Sequence, residues 1–242
     1  MKITEKMKMT REGLEEYGSI NIVVFGDSVT HGAVSPGVID YESVYWNRLR
    51  NKLLQIRNYV PINVINSAIG GTSAKPSVAR FEKQVLKFDP DLLIICFGLN
   101  DVNGTLEDYL SSLEYFFEKA KENNIDVIYM TPNMLNTYVA DGTYEPNLAY
   151  AAKTAEYQNS GKMDLFMSES VKLAKKSGVY VCDCYSEWKK LAQTEDTTQL
   201  LANFINHPKR EMHELFANML FEVIMNNQTI NASDESTMFK SN

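Results

Sequence analysis

The chain has 242 residues, of which 44% are hydrophobic, 23% charged and 11% aromatic. That is an ordinary globular composition, and the length suits one α/β domain or at most two small ones, with roughly 70–75% of the unfolded surface buried and no need of a disulfide or metal. With 31 acidic against 24 basic residues the net charge is −7, which disfavours a nucleic-acid backbone as partner.

In chain order, residues 1–19 are charged throughout and lack an apolar core segment, so they read as an N-terminal extension and not a signal peptide. Ile20 to Phe25 is a buried strand, closed by Gly26-Asp27-Ser28. Ser43 to Arg57 carries Val44, Trp46, Leu49, Leu53 and Ile56 near helical spacing. A second strand, Ile62 to Asn66, runs into the small-residue loop Ser67–Ala74. Pro76 opens a helix with Val78, Phe81, Val85 and Phe88 on one face. Asp89-Pro90-Asp91 breaks the chain before the most apolar strand, Leu92 to Gly98. Thr105 caps a helix to Asn123, with Glu107 and Asp108 in its first turn. Asp126 to Met130 is the fourth strand. The stretch from Asn133 to Asn159 is the least regular and holds Tyr138, Tyr144, Tyr150 and Tyr157. A helix over 161–176 leads to a fifth strand, Val179 to Cys182, and Cys182 and Cys184 form a C-x-C with no second Cys or His pair near enough to complete a zinc site. Pro208 is placed to start the last helix, which reaches Asn226. The polar tail 228–242 is expected to be loose, leaving 20–227 as the domain.

Strands apolar on both faces and separated by helices predict a three-layer, doubly wound α/β fold, flavodoxin-like, around a five-stranded parallel sheet. Ligands of such sheets bind beyond the C-terminal strand ends. Gly26-Asp27-Ser28 follows the first strand there, Asn66 to Thr72 the second, and Gly98-Leu99-Asn100-Asp101 the third. Asn206-His207-Pro208 adds a histidine near the end of the chain. This is the inventory of acyl transfer. Ser28 would attack a carbonyl and His207 would take its proton. The backbone N–H groups of Ser28 and Gly71 and the amide of Asn100 would hold the oxyanion.

The same residues resemble the four blocks of the SGNH, or GDSL-type, serine hydrolases, in order and spacing, over about residues 20–226. The resemblance implies Ser28 as nucleophile, His207 as base, and Gly71 and Asn100 as oxyanion donors. Asn66, five residues before Gly71, matches the family asparagine and selects Gly71 over Gly70. It implies an esterase for a small acyl group such as acetyl, on a carbohydrate or another small alcohol, with no cofactor and no metal. One departure stands out: the family aspartate three residues before the histidine is replaced by Phe204, with Asn203 one residue earlier. The Nδ1 of His207 is then left to a backbone carbonyl in the 202–205 loop, to Asn203, or to a distant carboxylate such as Asp183.

Other readings compete. His31 lies too close in sequence to Ser28 to approach it in line as a base. His213, six residues after His207, is about 240° around a helix from it and reads as structural. Asp27 and Asp101 read as loop-bracing carboxylates, and Asp183 as a cap more readily than as a partner of histidine. Lysophospholipase or thioesterase activity, or a degenerate glycan-binding member without turnover, are the alternatives. A nucleotide-binding module is disfavoured because no phosphate-binding glycine loop is present. The expected partner is a small-molecule ester, with neither nucleic acid nor membrane. Three cysteines, an odd number, read as reduced thiols of a cytoplasmic protein. Nothing in the sequence speaks to oligomeric state.

Overall fold

The stretches that are apolar on both faces become the strands, and each gains cover on both sides. The computed structural model describes residues 1–226; the tail 228–242 lies outside them. Five strands, β1 (Ile20–Gly26), β4 (Ile62–Asn66), β5 (Leu92–Cys96), β6 (Asp126–Met130) and β7 (Tyr180–Cys182), form one sheet in the order β4-β1-β5-β6-β7. Every pairing in it is parallel. Helices α1 (Lys2–Lys6), α4 (Tyr45–Ile56) and α10 (His213–Asn226) pack together as one layer, and α5 (Ala74–Gln84), α6 (Leu106–Glu122) and α8 (Lys162–Lys176) as the other. The remaining helices are α2 (Arg11–Tyr17), α3 (Ser28–His31), α7 (Leu148–Asn159) and α9 (Cys184–Leu191). This is the flavodoxin-like, doubly wound α/β order expected from the sequence.

The strand order reverses beside β1, since the chain crosses from β1 to β4 on one side and then to β5 on the other. The loops leaving β1 and β5 therefore diverge and open a crevice at their C-terminal ends. Beneath that crevice lies a knot of aromatic rings. Phe25 meets Phe81, Phe97 and Phe116 at centroid distances of 5.4, 5.2 and 5.3 Å, and the Arg80 guanidinium lies 4.5 Å over the Phe25 ring. One cluster so joins β1, α5, α6 and the loop after β5.

Several segments differ from their sequence readings. The N-terminal extension, residues 1–19, packs onto the domain: Ile3 and Met7 are buried, and Lys6 pairs with Asp91 at 2.9 Å. The helix read as starting at Pro76 begins at Ala74. The stretch read as irregular to residue 159 is helical from Leu148, and what it buries is Ala151, Thr154, Ala155 and Gln158, a face with little apolar signal. Pro208 starts no helix. It pairs with Leu201 in an isolated bridge, and α10 begins only at His213 after a single 3₁₀ turn from Arg210. β7 stops at Cys182 and Cys184 opens α9, with the two sulfurs 3.6 Å apart as free thiols. A small hairpin, β2 (Ala33–Ser35) with β3 (Val38–Ile39), escaped notice altogether.

Because Phe116 is fully buried in the aromatic knot, Phe116→Ala should destabilise the protein by about 3–5 kcal/mol through lost contacts and a residual cavity. Urea unfolding with an unchanged m-value checks this.

Candidate active site

The turn after β1 is packed too tightly for a side chain at its first residue: a Cβ on Gly26 would strike the Cys96 carbonyl and the Thr30 side chain. The chain then enters α3 at once. Asp27 caps that helix, its Oδ1 accepting the Val29 N–H at 3.0 Å. Ser28 is the first helical residue, where the geometry of a helix start leaves its own N–H without an intrahelical partner. Its Oγ lies 2.9 Å from Nε2 of His207.

His207 arrives from a loop built almost entirely by asparagines. Asn203 Oδ1 accepts the N–H groups of Ile205, Asn206 and His207 at 3.0, 3.0 and 2.9 Å, and its amide donates to Asn206 Oδ1 at 2.9 Å. That arrangement holds Phe204 at φ +57°, left-handed and unusual for an aromatic residue. Two residues absent from the sequence reading grip the loop from the β6 side. Asn133 Nδ2 donates to the Asn206 carbonyl at 2.9 Å, and the Asn136 N–H to the Ile205 carbonyl at 2.9 Å. Arg210 closes the far end on Asp40 at 2.5 Å. No signal in the sequence links these partners, which lie 69 to 170 residues apart.

None of the three candidates holds Nδ1 of His207, which has no hydrogen-bond partner among the described residues. The Asn203 oxygen is committed to the loop backbone. Asp183 caps α9 through the Ser186 N–H and also binds the Ser186 and Thr131 hydroxyls at 2.7 and 3.0 Å. The neighbour that favours the charged ring is instead the backbone of Val34 in β2, short of hydrogen-bond geometry. Burial dominates, and it lowers the His207 pKa to about 4.

On the other side of Ser28, Gly71 has φ +77°, a conformation that a side chain would strain, and an exposed backbone. Asn100 donates one amide hydrogen to the Thr72 carbonyl at 2.9 Å, keeping a second for other use. Asp101 locks the Gly71 and Asn100 loops together, accepting the N–H groups of Ala74 at 2.7 Å and Gly98 at 2.9 Å. Burial pushes its pKa up to about 6. It pushes fully buried Asp27 to about 7, and the proximity of Asp101 adds to that rise. His213 is buried against Tyr45, whose N–H it accepts at 3.2 Å. Of the four tyrosines singled out, Tyr138 is tied to Asp196 and Gln199, Tyr150 lies against Asn103, and Tyr157 lies beneath Lys162. Tyr144 stays 57% exposed.

The chain belongs to the GDSL-like lipase/acylhydrolase family, whose description matches residues 24–215. The fold is shared with an acetylxylan esterase, Axe2 of Geobacillus stearothermophilus, at 19% identity and a TM-score of 0.66, over 85% of this chain and 94% of that one. A two-domain esterase active on acetylated mannans aligns at 20% identity and a TM-score of 0.66, over 93% of this chain and 53% of that one. An uncharacterized lipoprotein of Bacillus subtilis (strain 168), YqeF, is 29% identical over 127 residues, or 49% of this chain and 51% of that protein. The chain thus spans about half the length of that relative. Among the described residues no helix is long and apolar enough to cross a membrane.

If His207 is the base, kcat/KM for an activated ester should rise with pH through an ionisation near 4, below the ordinary histidine value of about 6.5. The sign follows from the role: a base works only when neutral, and a lowered pKa extends the neutral range downward. A stopped pH-rate series from 3.5 to 8 reads it directly.

Proposed function

We propose that the protein is a serine esterase that removes small acyl groups, acetyl foremost, from a hydroxylated small molecule such as an oligosaccharide. The observation that carries this is the 2.9 Å contact between Ser28 Oγ and His207 Nε2. Ser28 Oγ attacks the ester carbonyl while Nε2 takes its proton. The oxyanion draws on the Ser28 and Gly71 N–H groups and the Asn100 amide. As the tetrahedral species collapses, the imidazolium returns that proton to the departing alcohol. Water then repeats the sequence on the acyl-enzyme and releases the acid.

Among the described residues no carboxylate sits against Nδ1, and the neutral backbone of Val34 is the group that favours the imidazolium formed in each step. The reading is therefore a dyad of modest rate, with Asp27, Asn203 and Asp183 supporting the scaffold. The acetyl preference is supported by the esterases of acetylated xylan and mannan that share the fold. Three buried, free cysteines suit a reducing compartment such as the cytoplasm.

Ser28→Ala should abolish hydrolysis of p-nitrophenyl acetate, and the wild-type protein should prefer acetate to octanoate and release acetate from acetylated xylooligosaccharides. Retention of a tenth of the wild-type kcat in Ser28→Ala would remove the serine from this role. A preference for octanoate or for lysophospholipid would replace the substrate class and leave the serine in place.

A further inference from the structure

His31 is unsuited to act as the base, yet it stands at the junction of the nucleophile turn and the loop that carries Gly71. Its Nδ1 accepts the Gly70 N–H at 3.2 Å, and its Nε2 lies 3.3 Å from the Tyr41 hydroxyl. The two contacts together define the ring's state. Accepting at Nδ1 requires a neutral imidazole with its hydrogen on Nε2, which then donates to the Tyr41 oxygen.

Gly70 immediately precedes Gly71, so the bond to His31 orients the chain one residue before the oxyanion donor. The approach is close: a Cβ on Gly70 would lie 3.4 Å from His31 Nδ1 and 3.8 Å from the Ser28 Cβ. Two more bonds tie this loop to the nucleophile turn, Ile69 N–H to the Gly26 carbonyl at 3.2 Å and the Asn66 amide to the His31 carbonyl at 3.4 Å. Both are anchored before Gly70. From Ile69 to Gly71 the loop is exposed; within it the Thr72 hydroxyl binds the Ile69 carbonyl at 2.8 Å, and the His31 imidazole grips it from the nucleophile turn.

We propose that His31 is a positioning residue for the oxyanion site. By accepting the Gly70 N–H it fixes the Gly70–Gly71 backbone so that the Gly71 N–H faces the carbonyl oxygen attacked by Ser28, and Tyr41 fixes the imidazole in turn. The proposal rests on the serine-esterase reading above. An aligned donor acts mainly in the transition state, so misaligning it lowers kcat and leaves KM little changed.

Three variants of the full chain, assayed on p-nitrophenyl acetate, test this. In His31→Leu the acceptor is lost. In His31→Asn the side-chain oxygen takes the place of Nδ1. Ser28→Ala runs in parallel. His31→Leu should lose roughly tenfold or more in kcat with KM changed by no more than about twofold, and His31→Asn should recover most of the loss. Should His31→Leu fail to fold, His31→Gln, whose acceptor sits one bond too far out, replaces it in the same comparison. An unchanged kcat in His31→Leu, or equal losses in the Leu and Asn variants while Ser28→Ala is inactive, would overturn the positioning role alone. Activity in Ser28→Ala would instead overturn the esterase reading on which it stands.

Discussion

The contact between Ser28 Oγ and His207 Nε2 joins residues 179 positions apart, and most of the architecture around it serves to make that meeting repeatable. One partner is delivered by β1, held centrally between β4 and β5 and backed by the aromatic knot around Phe25. The other comes from a loop held by the bridge between Leu201 and Pro208, by bonds from Asn133, Asn136 and Asn203, and by the Arg210–Asp40 pair at its end. A hydroxyl–imidazole bond is weak in net terms, about 1 kcal/mol. It is the scaffold that supplies the geometry.

The same enclosure sets the electrostatics. Desolvation favours the neutral forms of His207, Asp27 and Asp101 alike. A neutral histidine is a competent base, while the two buried carboxylates brace their loops by accepting backbone N–H groups. Phe204 occupies the position of the family aspartate, and its backbone turns left-handed there. Asn203 locks this loop and so fixes the histidine through its backbone and not through Nδ1.

Much of this was legible in the sequence because it is local. Runs such as Ile62–Asn66 and Asp126–Met130 declare strands by composition alone, and the cap at Thr105 declares a helix start. Ser28, Gly71 and Asn100 lie in the loops that leave strands β1, β4 and β5, so strand assignment also places them. What escaped was non-local or weakly apolar. Helix α7 buries alanine, threonine and glutamine, β2 and β3 are three and two residues long, and Pro208 is claimed by a bridge to Leu201 before it can open a helix. The grip of Asn133 on the histidine loop, and of His31 on Gly70, depends on tertiary meeting points that no residue pattern announces.

The central claim is that His207 activates Ser28, and covalent labelling tests it most directly. After incubation with a fluorophosphonate, intact mass and peptide mapping should show a single adduct on Ser28 in the wild-type protein and none at matched time in His207→Ala. An unlabelled wild-type protein, an adduct on another residue, or equal labelling of Ser28 without His207 would contradict the account.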